Sequence, residues 1–221
     1  MTEHLVGILG GMGPAATANF YTKLIASTPA SRDQDHLRVA IWADPTVPDR
    51  VAAVLDGSTD PYPAMLAGAR HLQDFGATVA AMPCHTAHVF LPKLIADSGV
   101  PFIDMVAETV DELNRRGAHT VALLGTRGTL ASGLYQERLH DFEVVVPAEA
   151  AQQQVDLAIA AVKRGAAAAG GEYLTAALPD AALIVLACTE LSLAAAHVVA
   201  PGHELLDPTD LLAEAVVRAC R

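Results

Sequence analysis

Leu183-Ile184-Val185-Leu186-Ala187-Cys188-Thr189-Glu190 is a short apolar run that ends abruptly in Cys-Thr-Glu. A run of this length and branching reads as a strand buried on both faces, as parallel sheets require. Nearly half of the 221-residue chain earlier, Ala80-Ala81-Met82-Pro83-Cys84-His85-Thr86 has the same character. It too reads as a buried strand that delivers a cysteine, with a threonine close behind. A second pair of segments matches at a similar spacing: Val6-Gly7-Ile8-Leu9-Gly10-Gly11 and Val121-Ala122-Leu123-Leu124-Gly125-Thr126. Two matched strand ends at similar separations point to a duplicated α/β unit.

Working outward, strand-length runs alternate with helical patterns. Strands are expected at Leu5–Leu9, Leu37–Ala43, Thr78–Met82, Pro101–Ile103, Thr120–Leu124, Glu143–Val146, Leu183–Ala187 and Leu205–Leu206. Helices are expected at Pro14–Ser27, Pro63–Phe75, His88–Asp97, Val106–Arg116, Leu134–His140, Ala150–Arg164, Glu172–Ala177 and Asp210–Ala219. Proline opens the first of these, and Gly76, Gly99, Gly117 and Gly165 close others. Strands separated by helices of this length imply parallel sheets covered on both faces. The fold class read here is α/β, with parallel-rich sheets built from a duplicated unit. Ligands of such sheets bind beyond the carboxyl ends of strands, which places the site in the cleft between the halves.

The composition narrows the partners. Lys and Arg number 14 against 25 Asp and Glu, a net charge of −11. A phosphate backbone would be repelled, so nucleic acid is excluded as the expected partner. No apolar run is long enough to cross a bilayer, so no membrane association is expected. The segment from Met1 lacks a cationic leader and its apolar stretch breaks at Gly10-Gly11. The expectation is therefore a cytoplasmic protein with reduced thiols. The three cysteines, Cys84, Cys188 and Cys220, are an odd count that argues against a disulfide scaffold. Cys220, on the last expected helix, is read as inert.

Cys84 and Cys188 admit two readings. Ordinary buried cysteines are common in strands. Two opposed thiols, one ionised and one protonated, would instead suit removal of a proton from one face of a carbon and its return to the other. Helix N-termini after both cysteines would lower their pKa values. Cys84, His85, His88 and Cys188 also raise a zinc reading. The adjacency of Cys84 and His85 disfavours it, and no metal is expected. Gly10-Gly11-Met12-Gly13-Pro14-Ala15-Ala16 holds G-x-G-x-x-A, the weak form of a dinucleotide fingerprint. Asp44 stands at the next strand's end, beyond the roughly 20 positions that fingerprint allows for its acidic residue. Backbone N–H groups near Met12 and Gly13 fit a small carboxylate better. Arg50 is either an exposed loop arginine or a fork for a carboxylate. Lys163 complements the end of its helix. Thr126 and Thr129 offer hydroxyls at the matching turn of the second half, where turn chemistry alone would also explain them.

Taken together, Gly7-Ile8-Leu9-Gly10-Gly11-Met12-Gly13-Pro14, Asp33-Gln34-Asp35-His36, Val47-Pro48-Asp49-Arg50, Pro83-Cys84-His85-Thr86-Ala87-His88, Leu124-Gly125-Thr126-Arg127-Gly128-Thr129 and Cys188-Thr189-Glu190-Leu191 form a specific set. On these the chain resembles the aspartate/glutamate racemases, the pyridoxal-independent amino-acid racemases, through nearly its whole length. The resemblance implies two similar Rossmann-like α/β domains related by a pseudo-two-fold axis, residues 1–104 plus 208–221 and residues 105–207, with the active site in the cleft between them. It implies Cys84 and Cys188 as an opposed acid/base pair with no cofactor. It implies Thr86, Thr126, Thr129 and Thr189 around the substrate's α-carboxylate and amine. It matches Arg50 and Lys163 to the cations that hold a side-chain carboxylate, aspartate first and glutamate second. Asp49 and Glu190 become candidates for tuning the thiols, and a homodimer is the implied assembly. One position departs: His85 stands where the family usually has Asn, a residue expected to bond the α-carboxylate. Histidine is bulkier and donates from a single ring nitrogen. That departure keeps open a racemase of another amino acid or hydantoin, an isomerase of a dicarboxylate, and a non-catalytic carboxylate-binding module.

Overall fold

The computed structural model describes residues 4–221; the reading of the terminus at residues 1–3 lies outside them. In chain order the elements are β1 (Leu5–Gly10), α1 (Pro14–Ser27), β2 (Arg38–Ala43), α2 (Arg50–Leu55), α3 (Tyr62–Asp74), β3 (Val79–Ala81), α4 (Leu91–Ser98) and α5 (Met105–Arg115). The second half follows with β4 (Thr120–Gly125), α6 (Arg127–Ala131), β5 (Glu143–Val145), α7 (Glu149–Lys163), α8 (Ala167–Ala177), β6 (Leu183–Ala187), α9 (Thr189–Ala195), β7 (Glu204–Leu206) and α10 (Pro208–Ala219).

Two parallel sheets result, with strand orders β2-β1-β3 and β5-β4-β6-β7. A single parallel bridge between Ala80 and Phe102 stands where β7 stands in the second sheet. With that bridge the two halves repeat one strand order. The fourth strand expected at Pro101–Ile103 is thus reduced to one paired residue.

Each sheet is covered on both faces, so its strands are apolar throughout. In β1, Val6 and Ile8 face α1 and α10 and pack with Phe20, Leu24, Leu212 and Val216. Leu9 faces the other way, among Met65, Leu72, Met82 and Leu94. In β4, Leu124 packs with Val155, Ile159 and Leu174 of α7 and α8. Val121 and Leu123 pack with Val106 and Leu113 of α5 and with Tyr135. Complete burial of a side chain such as Leu123 stabilises the fold by about 1.5–3 kcal/mol. The closing helices cross over: α5, which follows the first sheet, covers the second, and α10 returns to cover the first. Both start behind an aspartate cap. Asp104 accepts from Val106 N and Ala107 N, and Asp207 accepts from Thr209 N.

Several local expectations are corrected. Residues Thr86–Phe90 form a 3-10 turn, and the α-helix expected from His88 begins at Leu91. Pro92 in its first turn explains the later start, because proline tolerates only the positions whose N–H would be unpaired. Residues Leu134–His140, expected to be helical, are turns that bury Tyr135 completely. Gly133, at φ 73°, reverses the chain just before them. The short helices α2, α6 and α9 were not expected; each is only five to seven residues long. No helix among the described residues is long and apolar enough to cross a membrane.

Candidate active site

The carboxyl ends of β1, β3, β4 and β6 converge on one cavity. It is lined by Met12, Asp49, Arg50, Val51, Cys84, His85, Thr86, Thr126, Lys163, Cys188, Thr189 and Glu190. The two cysteines therefore share one enclosed space. The cavity is about 20 Å³, room for about one water molecule, so a larger guest enters only if its walls part. Beyond it lies an outer groove of about 410 Å³, where Gly13, Pro14, Pro45 and Val162 meet Arg50, Lys163 and Glu190.

Glycine makes the first wall. Gly11 has φ 90°, and a Cβ there would fall 2.3 Å from the backbone carbon of Asp44. Only a residue without a side chain lets β1 turn so close to the end of β2. Gly11 N donates to Thr17 Oγ1 at 2.9 Å, which donates in turn to Gly13 O. That N–H, part of the expected anion-binding turn, is thus already engaged. Met12 lines the cavity and Gly13 the outer groove.

Arg50 opens α2 and is half-buried. Its Nη1 donates to Val47 O and Pro48 O, and Nη2 donates to Met12 O at 3.3 Å. Three of its five N–H groups are therefore committed to backbone carbonyls, which fixes the guanidinium and leaves two donors on the side of Cys84 and the cavity. It is not the exposed loop arginine that charge alone would also allow. Lys163, the last residue of α7, is exposed at the cavity's edge and has no carboxylate partner among the described residues. Asp49 lines the cavity too, with its Oδ1 accepting from Ala52 N as the cap of α2.

Three hydroxyls close a ring across the two halves. Thr86 Oγ1 lies 2.9 Å from both Thr126 Oγ1 and Thr129 Oγ1, and those two are 3.0 Å apart. Thr129 N also donates to Thr126 Oγ1. Thr129 reaches the cavity only through this ring. Thr189 Oγ1 donates to Pro83 O at 3.4 Å, linking the two cysteine-bearing turns.

Burial opposes ionisation of both thiols. Desolvation pushes Cys84 up; the Arg50 guanidinium pulls it back, and the Glu190 carboxylate adds to the rise. Cys188 goes further up, from burial first and then from Glu190, which accepts its Sγ–H at 3.1 Å. This corrects the expectation that helix N-termini would lower both values. Cys84 is followed by a 3-10 turn and Cys188 by a seven-residue helix, and desolvation outweighs either.

His88 is buried, and both ring nitrogens are engaged. Met105 N donates to Nε2 at 3.3 Å, so Nδ1 carries the proton and donates to Cys84 O at 2.8 Å. Neither nitrogen is free for a metal. Cys220 lies buried at the end of α10, in the core behind the first sheet. Val51 and Tyr135 were missed by sequence reasoning. Val51 is an ordinary apolar residue, and Tyr135 reaches the site only through His85.

The geometry invites comparison with known proteins. The family model described as Asp/Glu/Hydantoin racemase matches residues 9–216. The chain belongs to that racemase family. It is an isomerase in the family's two-domain fold. The broad specificity amino-acid racemase RacX of Bacillus subtilis (strain 168) is 31% identical over 204 residues, covering 88% of each chain. The aspartate racemase of Picrophilus torridus superposes with a TM-score of 0.88 at 30% identity, over 98% of this chain and 94% of that one. Glutamate racemase from Thermus thermophilus, solved in complex with Beta-chloro-D-alanine, shares the fold at a TM-score of 0.69 and 22% identity. That match covers 99% of this racemase and 80% of that chain.

Proposed function

We propose that this racemase inverts the α-carbon of acidic amino acids, aspartate first, by proton transfer between Cys84 and Cys188. The single observation that carries the reading is that both thiols line one cavity bordered by two cations, Arg50 and Lys163, with no carboxylate paired to either among the described residues. In the forward direction the Cys84 thiolate takes the α-proton, and the C–H electron pair passes into the α-carboxylate as an enediolate. The Cys188 thiol then delivers its proton to the opposite face. The enzyme finishes with Cys84 protonated and Cys188 ionised, the inventory the reverse reaction needs.

The resting assignment follows from the surroundings. Arg50 favours charge on Cys84, whereas Glu190 holds the proton on Cys188. The enediolate is the costly intermediate, and fixed donors aimed at it supply the main stabilisation. The hydroxyl ring of Thr86, Thr126 and Thr129 is placed for that task. The N–H groups of Arg50 that no backbone carbonyl holds, with Lys163, suit the distal carboxylate. No step in this scheme calls on a cofactor.

A panel of D- and L-amino acids in deuterated water tests it. A racemase incorporates deuterium at Cα of its substrate, and Cys84→Ala and Cys188→Ala should each abolish inversion while leaving the circular dichroism unchanged. Full inversion in either variant refutes the two-thiol scheme. Binding without exchange would make the protein a carboxylate-binding module. A second reading, acceptance of uncharged side chains, is favoured by the apolar wall of the outer groove at Pro14, Pro45 and Val162 and by the broad specificity of the Bacillus subtilis relative. The same panel separates the two by which side chains exchange.

A further inference from the structure

Ser192 stands one turn past Cys188 in α9, buried, and lines neither the inner cavity nor the outer groove. Hydroxyls in the helices of this fold commonly turn back on their own backbone. Thr28, Ser98, Thr109 and Thr175 each donate to the carbonyl four residues earlier. The Ser192 hydroxyl instead points between helices. Its Oγ accepts from Asn19 Nδ2 of α1 at 2.9 Å, and its own proton goes to the Asp207 carboxylate at the head of α10. Lys23 of α1 completes the cluster, with Nζ 2.5 Å from Asp207 Oδ2 and 2.7 Å from Asp210 Oδ1. Burial opposes charge on Asp207, but Lys23 and then Ser192 outweigh it and hold the carboxyl below its ordinary value. A charged acceptor makes the Ser192 bond one of the stronger kind.

This cluster joins the two halves. Both α1 and α10 cover the first sheet, whereas α9 packs on the second through Leu191 and Ala194. The same helices meet again at the cavity. A Cβ on Gly13, just before α1, would lie 3.1 Å from Glu190 Oε1, and the other oxygen of Glu190 holds the Cys188 hydrogen. The first half has a counterpart. His88 precedes Ser192 by the spacing that separates the two cysteines. Its ring joins Cys84 O to Met105 N, at the head of α5. In each half, the side chain four positions after the cysteine ties that cysteine's turn to the helix that crosses to the other half. A thiol held only by its own sheet would move with that sheet. Tied to the crossing helices, the two thiols share one frame.

We propose that Ser192 is a positioning residue which, with Asn19, Lys23 and Asp207, straps the helix bearing Cys188 to the first half and so fixes that sulfur against Cys84. The consequence for proton transfer rests on the two-thiol reaction proposed above; the strap itself does not.

Two measurements on the whole chain test it. The first needs no substrate: alkylation by iodoacetamide at fixed pH, with each cysteine followed by mass spectrometry. Ser192→Ala should speed Cys188 about fivefold relative to Cys84 in the same molecule, the effect of losing one net hydrogen bond on the population that reacts. An unchanged ratio, or an equal rise at both thiols, overturns the strap whether or not the protein racemises anything. The second is kinetic. Ser192 touches no part of the cavity, so kcat for aspartate should fall about fivefold while KM stays within about twofold. A rise in KM with kcat unchanged would overturn the positioning role. Asn19→Ala cuts the same link from α1 and leaves every side chain of the second half in place. It should move both readouts in the same directions, and it carries the test if Ser192→Ala does not fold. A shifted alkylation ratio in a protein that inverts no amino acid would leave the strap standing and remove the proposed reaction.

Discussion

Glu190 Oε2 accepts the thiol hydrogen of Cys188 at 3.1 Å inside a closed cavity, two residues along the chain at the start of α9. A carboxylate in this position stabilises the protonated sulfur twice, by accepting its hydrogen and by repelling the thiolate. Glu190→Gln keeps the shape and removes the charge. The pH midpoint for alkylation of Cys188, followed by mass spectrometry, should move down. Cys84, whose rise owes most to burial and less to Glu190, should move less. An unchanged Cys188 midpoint would show that burial alone sets its state.

The paired strand ends were legible because parallel strands buried on both faces leave a plain apolar signature, and Cys-Thr breaks it twice. The repeated strand order followed from that. What was not legible depends on contacts between distant segments. The stretch around Tyr135 has a helical pattern, but Gly133 and burial against Leu123 override it. The ring of Thr86, Thr126 and Thr129 forms only when the two halves meet. Local rules assign helix N-termini a favourable effect on Cys84 and Cys188, and only the closed cavity shows that desolvation exceeds it.

Gly11 and Gly117 both have positive φ, at 90° and 63°, yet they predict different costs. At Gly117 a Cβ meets nothing within 4 Å, so Gly117→Ala should cost about 1–2 kcal/mol for the left-handed backbone alone. At Gly11 the same atom lies 2.3–2.4 Å from the carbon, nitrogen and oxygen of the Asp44 backbone. Asp44 N is tied to Gly10 O, so β2 must shift to relieve the clash. Gly11→Ala should exceed about 4 kcal/mol, in the range reserved for backbone strain and overpacking. Urea midpoints at unchanged slope measure both. Similar losses at the two sites would show that the β1–β2 approach is more pliant than its geometry implies.

His85 also predicts how the fold responds to acid. Its folded pKa, about 3, lies below the ordinary histidine value of 6.5. Unfolding therefore releases a ring that binds a proton readily. The stability that this group contributes is complete above pH 6.5 and is lost as the pH falls toward 3, by about 1.4 kcal/mol for each unit. His85→Asn removes that dependence. The difference in unfolding free energy between the original and the variant should therefore shift in the variant's favour between about pH 7 and pH 5. His88, also held down by burial, is present in both proteins and cancels. A difference that stays constant with pH would place the His85 ring in contact with solvent.

Lys163 distinguishes recognition of a charged side chain from chemistry at the α-carbon. It borders the inner cavity and the outer groove, has no acidic partner among the described residues, and lies on the opposite half of the molecule from Arg50. Arg50 is anchored by Val47, Pro48 and Met12, so its replacement would disturb the loop as well as the charge. Lys163 has no such duties, which makes Lys163→Met the cleaner change. A charge-assisted hydrogen bond contributes about 1.5–3 kcal/mol, so KM for aspartate should rise by roughly ten- to a hundredfold. An uncharged amino acid of similar size should change less than about threefold, because it never made the contact. Steady-state kinetics on the two substrates read the contrast directly. Equal losses on both would move Lys163 from side-chain recognition to support of Cys188, whose pKa its charge also lowers.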